Sequence, residues 1–213
     1  MQGLGNCPAC QAPLETPLGC RACGTLLLVE EDASPFELFG LPQAFAVDAA
    51  ELKRRLLRFS RMTHPDFFGG KPTVERERAE RNTALLNRAH GVVFDPASRA
   101  DWLVTHGGGP SESDERAMPQ AFLMEVLEWN EAVEAARAAV PGSPARAALD
   151  DLEATLRRER TTTLARIAGL LDPLPARGAQ ALAQARKELN ALRYLEKTLA
   201  DIAALRLEQA AAR

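Results

Sequence analysis

All four cysteines of the chain crowd into one stretch, NCPACQAPLETPLGCRACG, as Cys7-x2-Cys10 and Cys20-x2-Cys23 with nine residues between the pairs. Thiolates in that pattern favour one chemistry. Two tight turns, helped by Pro8 and Gly24, bring four sulfurs to the corners of a tetrahedron around a structural zinc ion, with iron in the same cage as the lesser alternative. Two disulfides, or a redox pair of the thioredoxin type, are the competing uses. A reducing cytosol disfavours the first, and the second expects a βαβ setting that is missing. The stretch has too little apolar content for a core of its own, so residues 1–30 read as a zinc-ribbon-like module, with TLLLVE at 25–30 as a short strand.

The second group with chemical potential lies in RFSRMTHPDFFGG, residues 58–70, where His64 and Asp66 flank Pro65. An acid–base pair is one reading. No nucleophile, phosphate loop or substrate-shaped motif accompanies it, so no residue is assigned a catalytic role and the chain reads as a non-enzyme. The elements that position the triplet are legible. Asp48 and Glu51 stand at capping-box spacing and open a helix that runs to about Thr63. Proline at 65 pushes His64 out of helical angles, and Gly69 and Gly70 prolong the loop. Along the helix Leu52, Leu56 and Phe59 share one face, while Arg54, Arg58 and Arg61 line the other, flanked by Lys53 and Arg55. A solvated charged face is the ordinary reading of such a run, but no acidic residue follows Glu51 in this helix to neutralise it, so a docking surface for an acidic partner stands beside that reading. A second long helix is expected over 73–93, with Leu86, Ala89 and Val93 on one side, before Asp95-Pro96 breaks it. Upstream, Phe36, Leu38, Phe39 and Leu41 form a short apolar helix stopped by Gly40 and Pro42.

The chain has 213 residues, 46% of them hydrophobic and 26% charged, which suits one or two ordinary globular domains. A net charge of −3 makes the whole chain a poor nucleic-acid binder, so its basic patch is local. A zinc-ribbon nucleic-acid protein is further disfavoured because no aromatic residue lies on the basic face. Only 5% of residues are aromatic and strand-like alternation is nearly absent, so the body is expected to be mainly α. No apolar run reaches the length of a membrane span and the start lacks a secretory signal, which reads as cytoplasmic with no membrane partner.

The turn-rich THGGGPSESDERAMP places a domain boundary near 106–118. Three helical patterns follow, over about 119–140, 145–171 and 176–212, parted by PGSP and DPLP; connections this short imply an antiparallel three-helix bundle. In the first, Phe122, Val126, Trp129, Val133 and Val140 make the core stripe. Leu123, Met124 and Leu127 then project to the other side, near Glu128 and Glu131. In the last, Leu189, Leu192, Leu195, Leu199 and Ile202 are the buried stripe, and Tyr194 points away from it beside Arg193. These surplus apolar residues either pack on the N-terminal hairpin or form one charge-rimmed patch that suits a protein partner.

Two antiparallel helices, the first basic, joined by a His-Pro-Asp loop, resemble the J domain of DnaJ-type co-chaperones. FELFGLP, LNRAHGVVFDPASRADWLV (86–104), FLMEVLEWNE (122–131) and LRYLEKTL (192–199) further look like the HscB co-chaperones of iron-sulfur cluster assembly, a likeness covering residues 35–210. The chain departs from the general DnaJ pattern: no Gly/Phe-rich linker follows the hairpin, and there are no CxxCxGxG repeats. The four-cysteine prefix is absent from the shorter bacterial HscB forms and is similar to that of eukaryotic relatives. The resemblance implies a J domain over 34–106 and a scaffold-binding bundle over 117–213. It places docking on an HscA- or DnaK-type ATPase at His64, Pro65, Asp66, Lys53, Arg54, Arg55, Arg58 and Arg61. It places the grip on an IscU-type scaffold at Leu123, Met124, Leu127, Glu128, Glu131, Arg193 and Tyr194. The alternative function is a general DnaJ-like co-chaperone for unfolded clients.

Overall fold

The computed structural model describes residues 4–117, 120–140 and 143–211. Within these the chain is helical: α1 (Pro35–Leu38), α2 (Ala49–Thr63), α3 (Thr73–Phe94), α4 (Pro96–His106), α5 (Gln120–Ala138), α6 (Pro144–Leu171) and α7 (Gln180–Ala211), with a 3-10 turn at Pro65–Phe68. It packs as two compact units, residues 1–102 and 103–213.

In the first unit α2 starts where the sequence says it should, because the Asp48 carboxylate accepts hydrogen bonds from the Ala50 and Glu51 amides at 2.8 and 3.1 Å. The reciprocal half of the capping box is not made. Glu51 instead turns to Arg54 and Arg55. The helix ends at His64, whose ψ of 126° is the extended value that a following proline imposes. Phe36, Phe39, Leu52, Phe59, Leu86 and Val93 form the interior between α1, α2 and α3. Phe36 stacks at a tilt against Trp102 and Phe39 against Phe59. Sequence periodicity missed α4. Its signal was present: Asp95 accepts from the Ser98 amide at 2.7 Å, a helix N-cap, and Pro96 occupies the first helical position.

Residues 4–33 contain no strand among the described residues. Where residues 25–30 were expected to form one, Leu26 makes only an isolated bridge to Gly19, matched by a second between Asn6 and Pro13. The segment belongs to the same compact unit as the hairpin. Asn82 of α3 is wholly buried and donates to the carbonyls of Leu18 and Leu27, and Arg78 and Arg81 donate to those of Leu26 and Val29. At Gly40, φ is +62° and an added Cβ would meet the Glu15 carbonyl oxygen at 2.1 Å, so only glycine fits there.

In the second unit α5, α6 and α7 pack around Trp129, Val133, Ala136, Leu149, Leu156, Leu195, Ile202 and Leu205, with Phe122, Val126, Leu152 and Leu199 against them. Val140, expected in the core stripe, is 71% exposed, because α5 ends at Ala138 and the residue lies beyond the helix. The expected turn at Pro141 and Gly142 lies outside the described residues. The turn-rich segment after α4 is pinned to α7: Arg186 donates to the Pro110 carbonyl and Asn190 to that of Glu115. Gly109 passes so close to Leu182 and Val104 that a Cβ would approach both at 2.8 Å.

Candidate functional site

The cysteines sit on two matching turns. In the first, the Cys7 amide donates to the Ala12 carbonyl and the Gln11 amide to that of Cys7; in the second, Cys20 donates to Thr25 and Gly24 to Cys20. Gln11 and Gly24 take the positive φ the turn requires, 61° and 75°. The equivalent of Gly24 is therefore Gln11, one residue past the first pair. All four thiols are free, and neither disulfide is formed. The Cys7 and Cys23 sulfurs lie 3.6 Å apart, as do those of Cys10 and Cys20, and all four fall within 4.8 Å of one another. A metal bound tetrahedrally at about 2.3 Å holds sulfurs roughly 3.8 Å apart, so the donor set fits. The Thr25 hydroxyl and amide hold the Cys23 thiol down at about 6. At Cys10 the Ala12 amide lowers the value, but the sulfurs of Cys23 and Cys20 outweigh it and push the thiol up to about 12. Four thiolates this close repel one another, and a cation at their centre relieves that repulsion.

The His-Pro-Asp loop is built as the end of one helix and the start of a single 3-10 turn. His64 Nδ1 accepts from the Asp66 amide at 3.3 Å, which leaves Nε2 to carry the proton of the neutral ring. The Asp66 side chain is 87% exposed. Beneath the loop, the Thr83 hydroxyl of α3 donates to the Thr63 carbonyl at 2.8 Å, and Phe68 is buried while Phe67 is open.

The basic face of α2 is partly neutralised, and not only from within the helix. Glu51 pairs with Arg54 and Arg55 at 2.7 and 2.6 Å, and those cations, Arg55 first, hold its carboxyl below the usual range. Arg55 also donates to the Phe39 and Gly40 carbonyls, so it braces the turn after α1. Arg58 is met at 2.5 Å by Glu15, from the loop between the two cysteine pairs. That acid lies far upstream in the chain, so reading α2 alone could not find it. Among the described residues no ion pair involves Lys53 or Arg61.

On α5, Leu123, Met124 and Leu127 are 45%, 61% and 57% exposed, with Glu128 and Glu131 exposed beside them. Spacings of one, three and four place all five on a single side of the helix. Tyr194 is partly exposed on α7, and the edge-on contact of its ring with Phe122 ties it to the start of α5. Arg193 is engaged by Glu112. Tyr194 and Arg193 also line a cleft of about 480 Å³ with Glu112, Arg116, Asn190 and Lys197. Among the described residues no helix is long and apolar enough to cross a membrane.

Several known proteins similar to this chain are HscB co-chaperones. Residues 118–203 match the family model described as the HSCB C-terminal oligomerisation domain. The chain is 35% identical over 169 residues to the co-chaperone protein HscB homolog of Ralstonia nicotianae, covering 79% of this chain and 91% of that one. It is 34% identical over 173 residues to that of Burkholderia multivorans, covering 80% and 93%. The crystal structure of human co-chaperone protein HscB superposes with a TM-score of 0.74 at 23% identity, covering 93% of this chain and 97% of that one. That share is too large for the cysteine prefix to lie wholly outside the common fold. The chaperone HscB from Vibrio cholerae gives 0.68 at 26% identity, covering 83% and 98%.

Proposed function

The chain belongs to the HscB family of co-chaperones, and from that premise we propose that it is a two-armed adaptor of iron-sulfur cluster assembly. One arm is the J domain, in which His64, Pro65 and Asp66 with the α2 cations Lys53, Arg54, Arg58 and Arg61 dock on the ATPase domain of an HscA- or DnaK-type chaperone and stimulate ATP hydrolysis. Arg55 contributes by fixing the turn after α1. The other arm is the bundle, where Leu123, Met124, Leu127 and Tyr194, rimmed by Glu128, Glu131 and Arg193, hold an IscU-type scaffold. Stimulating hydrolysis while the scaffold is held promotes transfer of the cluster, which is cargo. The chain itself performs no chemistry. Cys7, Cys10, Cys20 and Cys23 hold a zinc ion, which supplies a fixed cross-link and no reaction.

The observation that carries this reading is the apolar trio left open on α5 beside two carboxylates, on a helix whose other side is already filled by Trp129 and Val133. An apolar patch with a charged rim has the anatomy of a protein-binding surface, which an IscU-type scaffold would cover. Titration of the purified chain with an IscU-type scaffold and, in parallel, with an unfolded model peptide tests it. Saturable one-to-one binding of the scaffold alone is expected; binding of the peptide alone would favour the general DnaJ-like role.

A further inference from the structure

The cysteine turns and the His-Pro-Asp loop are far apart in sequence, yet one packs on the other. Leu26 follows the second turn directly: its neighbour Thr25 accepts from the Cys20 amide, and Leu26 itself bridges to Gly19. The Leu26 side chain is buried in a small apolar cluster with Phe68 and Ala79, against which Met62 packs. Phe68 is the last residue of the 3-10 turn that carries Pro65 and Asp66, and Met62 belongs to the final turn of α2. Asn82 clamps the same region from behind, its one amide nitrogen reaching the carbonyls on both sides of the second cysteine turn at 2.7 and 3.0 Å. Prefix, loop and α3 thus share one small core, and the prefix supplies the lid over Phe68.

We infer that the four-cysteine module is the buttress of the His-Pro-Asp loop, so that metal loading at Cys7, Cys10, Cys20 and Cys23 sets the activity of the chaperone-docking arm. The module buries few large apolar side chains, chiefly Leu18, Leu26 and Val29, too few to order it without a cross-link. When the metal leaves, the second turn loosens, Leu26 withdraws, and Phe68 loses its cover. The loop then populates forms that do not dock, and apparent affinity falls in proportion to the competent fraction. An opposite effect is also built in, because a loosened module frees Arg58 from Glu15. That pair is solvent-exposed and counts for little in water, so loss of the buttress dominates.

The regulatory inference rests on the co-chaperone reading, but the structural half can be tested without a partner. The test uses the full chain in three forms: loaded with zinc, stripped by chelator under reducing conditions, and Leu26→Ala loaded with zinc. Amide hydrogen exchange is followed at Phe67, Gly69 and Lys71, which donate to the His64, Asp66 and Phe68 carbonyls. Stimulation of a DnaK-type ATPase is measured alongside. In the stripped chain and in Leu26→Ala, exchange at these amides should quicken at least about tenfold, with α6 and α7 unchanged, and the co-chaperone concentration for half-maximal stimulation should rise by a similar factor. Leu26→Ala should keep its metal. Unchanged loop exchange on stripping, or stimulation that strengthens, overturns the buttress. A loaded wild-type chain that stimulates no chaperone counts against the co-chaperone reading, while the exchange comparison still decides the buttress.

Discussion

Changing Leu123, Met124 and Leu127 together to Ala separates a binding patch from misplaced core. Full burial of a Leu or Met side chain is worth roughly 1.5–3 kcal/mol, and about half of each remains open on α5. A partner that covers the open part therefore gains about 1 kcal/mol per residue, or roughly 3 kcal/mol for the trio, which is about two orders of magnitude in Kd. Folding stability should respond differently. Surface truncations each fall within about 0.5 kcal/mol, and Ala is the better helix former, so the triple variant should lose at most ~1.5 kcal/mol. Leu195→Ala is the contrast, since that residue is fully buried in the core cluster that also holds Trp129 and Val133, and its truncation should cost about 2–5 kcal/mol alone. Isothermal titration with an IscU-type scaffold and urea denaturation of the same preparations give both numbers. A triple variant destabilised by several kcal/mol would make the trio core, and one that binds scaffold like wild type would show that the trio is not the binding patch.

Elemental analysis should find one zinc per chain; chelation should release it and loosen residues 4–33 while the far-ultraviolet helical signal of the bundle persists, and a chain purified without metal would contradict the assignment. Asn82→Ala should lower the stability of the first unit by about 2–4 kcal/mol, because one buried and one partly buried backbone carbonyl lose a donor, as read from urea denaturation with intact metal. Glu15→Gln should leave stability within about 0.5 kcal/mol, since the Arg58 pair is exposed, yet tighten chaperone docking at low salt by freeing a cation. Equal docking by both proteins at low ionic strength would show that Arg58 does not contribute.

The helices that carry the sites were legible because each follows from local signals. Asp48 starts α2, Pro65 stops it, and the 3.6-residue apolar stripes of α3, α5 and α7 mark their buried sides. The exposure of Leu123, Met124 and Leu127 followed from the same stripe, as the residues it left over. The cysteine cage was legible because ligand spacing is itself geometric. What escaped was tertiary. Glu15 reaches Arg58, and Leu26 reaches Phe68, across stretches of chain that no local pattern connects. Asn82 looked like an ordinary polar residue of α3, and only its burial reveals the two carbonyls it serves. α4 is masked in the sequence because its cap, Asp95-Pro96, is also the stop signal of α3: the same dipeptide ends one helix and begins the next.

Activation of a chaperone ATPase is the role proposed for the exposed His64–Pro65–Asp66 loop. It is tested most directly by single-turnover ATP hydrolysis of a DnaK-type chaperone with a saturating IscU-type scaffold, in the presence of wild type or His64→Gln. His64→Gln should fold as wild type does, since the ring is half exposed and bonds only within its own loop. Wild type should stimulate hydrolysis clearly, and His64→Gln should give none above the scaffold-only rate. Equal stimulation by the two proteins would contradict that role.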